Sequence, residues 1–117
     1  MANNFNRVTF ANLGNGLGSI STVYTVPTSK KSVLTGCLIC NKTSSNVTVN
    51  LQIDTAISGD ADVSLLHGMT IYGNSSSEIS FGKLVLKHDG TNGDVLKAYA
   101  NADNALDITV SLLEDVA

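Results

Sequence analysis

Two cysteines, Cys37 and Cys40, stand in a C-x-x-C spacing that elsewhere supports disulfide exchange or metal binding. Here they fall in the run 33–40, whose apolar composition is typical of a β-strand. On a strand, three residues span about 10 Å and point to opposite faces, whereas a disulfide needs Cα atoms within about 7 Å of each other. We therefore predict two buried, reduced thiols, with no helix N-terminus to activate them.

The two histidines, His67 and His88, are isolated from each other and from the cysteines. A zinc site needs further ligands at matching spacing, which the sequence does not supply. The sequence gives no reason to place either histidine beside a serine, cysteine or carboxylate for acid–base or nucleophilic chemistry. We predict that the chain is not an enzyme and that it has no catalytic, cofactor-binding or metal-binding residues.

Oxygen ligands at short spacing occur in two segments. Asp89, Asn92 and Asp94 lie in DGTNGD, and Asp60 and Asp62 lie in GDAD. Calcium binds such oxygens, but neither segment matches the twelve-residue loop that ends in a bidentate glutamate. We expect solvated turns here, with calcium binding at Asp89, Asn92 and Asp94 as the alternative.

Three glycines, Gly14, Gly16 and Gly18, suggest a phosphate-binding loop. Such loops lead into a helix whose N-terminus holds the anion, whereas residues 19–26 have the composition of a strand. We therefore expect a flexible hairpin connection.

The composition indicates a protein that acts through contacts with other proteins. Of the 117 residues, 43% are hydrophobic and only 15% are charged, against roughly 25% charged in an average soluble domain. Asparagine, serine, threonine and glycine supply the remaining surface polarity. The net charge of −3 and the lack of a basic cluster argue against nucleic-acid binding, which needs several phosphate contacts.

Targeting segments are not evident in the sequence. No run of about 18 apolar residues is present, and the first residues have no apolar stretch of signal-peptide length. We expect synthesis in a cytoplasm and no membrane anchor.

Two segments alternate strictly between apolar and polar residues, 47–54 and 106–112, a pattern that indicates half-buried strands. Six further β-rich runs, each bounded by turn-forming residues, lie at 7–12, 21–26, 32–41, 63–72, 79–86 and 95–100. About eight short antiparallel strands without helices predict an all-β fold, a β-sandwich or a jelly-roll-like barrel. We expect one such domain over residues 1–117, with residues 1–6 as a flexible N-terminal arm or a frayed end.

The run 33–40 differs because its apolar residues fall on both phases of the strand. This pattern indicates a strand covered on both faces. A partner protein and a loop of the same chain are equally good candidates for the outer cover.

Several segments resemble small virion structural proteins of tailed bacteriophages. In that family a YTVP turn leads into a strand and then an asparagine–threonine turn, as in residues 24–36 (YTVPTSKKSVLTG), 40–43 (CNKT) and 47–49 (VTV). The family's C-terminal pattern is similar to residues 82–86 (GKLVL), 93–98 (GDVLKA) and 102–111 (ADNALDITVS). The chain differs from the pattern at Thr28 and Ser29 and in the insertion-like residues 88–92.

The resemblance implies a virion component made in a host bacterial cytoplasm. We expect a capsid decoration (cement) protein that contacts the major capsid protein or other virion proteins, as a homo-oligomer such as a trimer. One alternative is a neck, tail or baseplate component. Another, from a different class, is a carbohydrate-binding β-sandwich, for which burial of Tyr72 and Tyr99 would be contrary evidence.

Overall fold

A computed structural model describes residues 4–114. Apart from a three-residue 3₁₀ helix at Leu17–Ser19, these residues form strands and turns, and none of their helices is long and apolar enough to cross a membrane. The eight strands are β1 (Asn4–Phe10), β2 (Ser21–Thr25), β3 (Lys31–Asn41), β4 (Val47–Thr55), β5 (Val63–Ile71), β6 (Ser76–Lys87), β7 (Asp94–Ala100) and β8 (Leu106–Glu114).

The strands pair as a nested set. β1 pairs with β8, β2 with β7, β3 with β6 and β4 with β5, all antiparallel. Further pairing of β3 with β8 and of β4 with β7 joins them into two four-stranded sheets. The first sheet has the order β1-β8-β3-β6 and the second has the order β2-β7-β4-β5. This is the arrangement of a jelly roll, in which one long antiparallel hairpin is rolled up, and the predicted all-β fold class is confirmed.

The core lies between the two sheets and follows from the alternation in the sequence. In β4 every second residue, from Val47 to Ile53, is buried, while the residues between them face out. In β8 the same alternation buries Leu106, Ile108 and Val110. Inward side chains from both sheets form one cluster of buried aliphatic residues, and burial of this kind stabilises a fold by about 25 cal/mol per Å² of apolar surface.

Two boundary predictions need correction at the ends of the first sheet. β1 begins at Asn4 and ends at Phe10, three residues earlier at its start than the predicted run 7–12. β6 extends over Ser76–Lys87, beyond the predicted run 79–86. Both are edge strands, and an edge strand buries fewer side chains and so shows a weaker alternation in its sequence.

The flexible hairpin expected around Gly14, Gly16 and Gly18 is wrong. β1 and β2 lie in different sheets, so their connection crosses from one sheet to the other. The crossing is held in place because the Ala100 N–H donates to the Gly14 carbonyl and the Ala100 carbonyl accepts from the Gly16 N–H, each at 2.8 Å. Leu13, at the start of the connection, is fully buried.

The predicted N-terminal arm lies only partly within the described residues. Met1 to Asn3 fall outside them, whereas residues 4–6 are part of β1 and pair with β8 through the register Asn4↔Glu114 to Asn6↔Leu112. For these three residues the backbone is that of a paired strand, not of an arm.

Candidate interaction surface

A β-bulge in β3 explains why the apolar residues of the run 33–40 occupy both phases. Leu34 pairs with Leu112, and the next pair is Gly36 with Ser111, so Thr35 has no partner in the register. Before the bulge Leu34 is buried, and after it Cys37 and Ile39 are buried. One extra residue in a strand reverses which positions face inward. Half of the unusual pattern is therefore a change of phase within one buried strand.

The remaining apolar residues of the run 33–40 lie on the outer face of the sheet. Val33, Leu38 and Cys40 lie on the outer face of β3, and Leu38 is 44% exposed. Of the two covers that the sequence predicts, a loop of the same chain does not lie over Leu38 within the described residues. A partner protein is the cover that remains to be tested.

A row of four apolar side chains crosses the whole outer face of the first sheet. The register pairs Phe5 with Leu113, Leu113 with Val33, and Val33 with Val85. Residues directly opposite each other in an antiparallel sheet point to the same face, about 5 Å apart. We call these four residues the apolar row: Phe5, Leu113, Val33 and Val85. Phe5 is 88% exposed and Val85 52%, whereas Val33 and Leu113 are half-buried, so the row is most open to solvent at its two ends.

Basic side chains border the apolar row on three strands. Arg7 lies two residues from Phe5 in β1, Lys31 two residues from Val33 in β3, and Lys83 two residues from Val85 in β6. Positions two apart on a strand share a face. We call Arg7, Lys31 and Lys83 the basic rim. All three are exposed, and none forms an ion pair with another residue of the described range.

Beyond the rim the same face carries a hollow of about 360 Å³ beside the bulge. Its lining is mostly small and uncharged, with Thr35, Gly36, Ser111 and Leu38 among the contributors and Glu78 at the β6 edge. Gly36 is required here because a Cβ atom at this position would lie 2.8 Å from the carbonyl oxygen of Ile79. The first sheet thus presents an apolar row, a basic rim and a weakly charged hollow on one surface.

The outer face of the second sheet has a different character. Lys97 pairs with Asp54 at 3.1 Å, and the Gln52 side-chain amide donates to the same carboxyl group at 2.6 Å. The Asn50 side-chain oxygen accepts the N–H of Gly68 at 3.1 Å. These polar side chains already have partners within the chain, so we take the first sheet as the candidate docking surface.

The cysteines lie where the strand spacing predicts. Cys37 points into the core opposite Val110, while Cys40 lies on the outer face opposite Asp107. Burial raises the pKa of the Cys37 thiol to about 11. Cys40 is only partly buried, which corrects the prediction that both thiols are buried.

Two of the residues considered as calcium ligands, Asp89 and Asp94, already accept hydrogen bonds from backbone N–H groups. One oxygen of Asp89 accepts the N–H groups of Thr91 at 2.9 Å and Asn92 at 2.6 Å, and these bonds lower the pKa of Asp89. Asp94 is buried and accepts the Lys87 N–H at 2.9 Å. Within residues 4–114 no group of three or more metal-ligating side chains is close enough to hold an ion.

The other chemistry-bearing residues are also separated. Asp60 pairs with Lys87 at 3.2 Å, and Asp62 accepts the Thr55 N–H at 2.6 Å. His88 uses Nδ1 to accept the N–H groups of Gly90 and Ser29, and His67 is exposed on β5. These contacts shape loops and do not converge on one site.

A polar cluster at the end of the sandwich was not predicted from the sequence. The Tyr24 hydroxyl donates to Oε2 of Glu114 at 2.6 Å and contacts the Ser32 hydroxyl at 2.7 Å, while the Asn6 side-chain amide donates to Oε1 of Glu114 at 2.8 Å. Glu114 directly follows Leu113 of the apolar row. The cluster therefore ties together the strands that carry one end of that row.

Solved structures with the same fold come from virus particles. A chain of the T13 viral particle of infectious bursal disease virus matches with a TM-score of 0.55 at 10% identity, covering 96% of this chain and 30% of that one. A chain from the Gx strain of the same virus matches with a TM-score of 0.54 at 9% identity, covering 97% of this chain and 33% of that one. This chain thus spans about a third of the viral chains it matches. No protein-family model and no curated protein matches it.

Proposed function

We propose that the chain is a virion structural protein, and in particular a decoration (cement) protein of a bacteriophage head. The nested strand order of a jelly roll carries the proposal, since a chain of a virus particle shares this fold over 96% of the present chain. The resemblance to small phage virion proteins supports the phage setting, and it rests on residues 24–36, 40–43, 47–49, 82–86, 93–98 and 102–111. In this proposal residues 1–117 act as one β-sandwich domain.

The surface of the first sheet fits such a role. A cement protein stabilises a shell by adding buried contact area between capsid subunits, and it needs complementary surface more than a deep pocket. The apolar row supplies area that gains from burial. The few charges on the hollow beside Gly36 keep the cost of desolvation low.

Heads assembled from the major capsid protein of the same genome provide the test. The purified chain is added to empty heads, and their thermal disruption is followed by light scattering and electron microscopy. We expect the chain to co-sediment with the heads and to raise their disruption temperature. Co-sedimentation without any gain in resistance, or no binding to heads, would contradict the cement role.

A neck, tail or baseplate component is the second candidate within the virion. In this role the same jelly roll would contact its neighbours through its loops. Quantitative mass spectrometry of separated head and tail fractions distinguishes the two proposals. Recovery of the chain only with tails would move it to this second role.

A carbohydrate-binding module is the candidate of another class, and one observation favours it. Tyr72, which directly follows β5, is 65% exposed, and sugar-binding sites commonly stack a ring on an exposed aromatic side chain. Tyr99 is partly buried. Binding of the chain to a glycan array, lost in Tyr72→Ala, would support this module against the cement protein.

Homo-oligomerisation, as a trimer for example, is part of the cement proposal because such proteins occupy local symmetry axes of the shell. Native mass spectrometry of the purified chain at micromolar concentration measures it. A trimer supports symmetric assembly in solution, whereas a monomer means that any oligomer forms on the shell.

A further inference from the structure

We infer that the apolar row with its basic rim is a docking site for another protein, one whose contact surface has an apolar centre bordered by carboxylates. This inference deepens the proposed function by naming the surface and the chemistry of the partner. It rests on the shape of the row and on the sign of the charges around it.

The row has the properties of an interface centre. It spans all four strands of the first sheet, and its outermost member, Phe5, has 88% of its surface in solvent. A lone exposed apolar side chain is common, but a contiguous patch rimmed by polar groups marks a contact site. Aromatic residues and arginine are also the types enriched in interfaces.

The basic rim is opposite in sign to the net charge of the chain. The formal net charge is −3, yet the charged residues two positions from Phe5, Val33 and Val85 are all basic. They are Arg7, Lys31, Lys83 and Lys87, of which Lys87 is paired with Asp60 at 3.2 Å. Complementary charge around an apolar centre speeds association and selects the partner. A partner that buries the apolar row therefore gains most if its own rim is acidic.

A second copy of the chain does not satisfy this requirement. If the row packed face to face on itself about a two-fold axis, the basic rims of both copies would lie against one interface. Like charges brought together in this way oppose association.

A membrane surface fits less well than a protein. Val33 and Leu113 are partly buried in a sheet, whereas membrane-bound elements insert their apolar faces by about 5–10 Å. A rigid row of mostly short side chains on a sheet suits a complementary protein surface better than the acyl boundary.

Two double variants test the inference at matched charge. Arg7→Gln with Lys83→Gln removes two rim charges, and Thr22→Glu with Thr70→Glu adds two acidic side chains to exposed positions of the second sheet. Each lowers the formal net charge by two. Binding to empty heads of the same genome is measured for both and for wild type at low and high salt.

We expect the rim variant to bind the heads about tenfold more weakly at low salt, and the control to bind like wild type. The difference should shrink in about 0.5 M salt, where charges are screened within a few ångströms. If wild type binds and both variants match it, the inference is wrong and the proposed function stands.

If wild type does not bind heads, the proposed function is wrong, and the surface is judged with 8-anilinonaphthalene-1-sulfonate, an anionic apolar dye. Dye fluorescence that falls in the rim variant but not in the control supports the surface, and equal fluorescence overturns it. Co-sedimentation of wild type, but not of the rim variant, with vesicles of phosphatidylcholine and phosphatidylglycerol would overturn the protein partner in favour of a membrane.

Discussion

The hydroxyl of Tyr24 and Oε2 of Glu114 lie 2.6 Å apart, and this contact joins the second sheet to the first at one end of the sandwich. The Tyr24 hydroxyl has one hydrogen, which it donates to the carboxylate of Glu114. The hydroxyl of Ser32 must therefore be the donor in its hydrogen bond with Tyr24. The result is a directed chain from β3 through β2 to β8. It fixes the end of β8 that carries Leu113.

Replacing Tyr24 with phenylalanine should lower the free energy of unfolding by about 1–2 kcal/mol, because it removes a hydrogen bond to a charged group. Urea unfolding at pH 7 measures the change. Tyr72→Phe is the control, since Tyr72 is exposed, and it should change stability by less than about 0.5 kcal/mol. Equal stability of both variants would show that the cluster does not hold the sheets together.

The raised pKa of Tyr24 predicts that the folded chain loses stability in strong alkali. Burial, followed by the hydrogen bond to Glu114, raises the pKa of Tyr24 above its ordinary value of 10.0. The neutral phenol is thus favoured in the folded state, so its contribution is complete below about pH 10 and is lost as the pH rises toward the folded-state pKa. Thermal melts from pH 8 to 12 should fall less steeply for Tyr24→Phe than for wild type, and parallel curves would contradict this.

The cysteines should differ in reactivity. Cys37 is buried and its pKa is raised to about 11 by burial, while Cys40 is partly exposed on the outer face. At pH 8, iodoacetamide should modify Cys40 first, and Cys37 only as fast as the chain unfolds, because the thiolate is the reactive form. Peptide mass spectrometry over time follows both sites. Faster labelling of Cys37 would contradict the inward phase after the bulge.

Adjacent residues of β3 give a direct test of that phase. Ile39 is fully buried and Leu38 is 44% exposed. Ile39→Ala should lower the unfolding free energy by about 2–5 kcal/mol, and Leu38→Ala by less than about 1 kcal/mol. Denaturant unfolding of the two variants measures this. A larger cost at Leu38 would show that the strand faces the other way.

The fold was largely predictable because burial in β4 and β8 alternates with the pleat. Residues 47–54 and 106–112 face solvent on one side only, so their sequence carries the period of two directly. β6 was less predictable, since Ser76, Ser77 and Glu78 lie on an edge and bury little. The bulge at Thr35 left only a trace, a run with apolar residues on both phases.

The candidate surface was beyond sequence reasoning for a different reason. Phe5, Val33, Val85 and Leu113 come from four strands spread over the whole chain, and no spacing brings them together until the strands are paired. The polar cluster of Tyr24 and Glu114 is hidden in the same way. The composition predicts contacts with other proteins, and only the strand pairing shows which residues form the candidate surface.

Acid should weaken the contact between the β1–β2 connection and β8. Partial burial raises the pKa of Asp107, but the N–H of Asn12 and the ammonium of Lys42 outweigh it and hold the pKa below the ordinary 3.8. Its stabilisation is therefore present above about pH 3.8 and is lost as the pH falls through the folded-state pKa.

The pair is exposed, so Asp107→Asn should cost less than about 1 kcal/mol at pH 7. The difference from wild type should be smaller at about pH 2 than at pH 7, because protonation removes the charge of Asp107 as the pH falls through its folded-state pKa. Urea unfolding at the two pH values measures it, with Asp103→Asn, at an exposed position of the β7–β8 turn, as control. A difference that is undiminished in acid would assign the effect of Asp107 to something other than its charge.

A cryo-EM reconstruction of the particles made by the genome that encodes this chain tests its role most directly. We expect density for the two-sheet jelly roll on the outside of the head, with Phe5 and Val85 of the apolar row against the major capsid protein. Particles whose heads lack this density, or in which the outer face of the first sheet is turned to solvent, would contradict a decoration protein that docks through the apolar row.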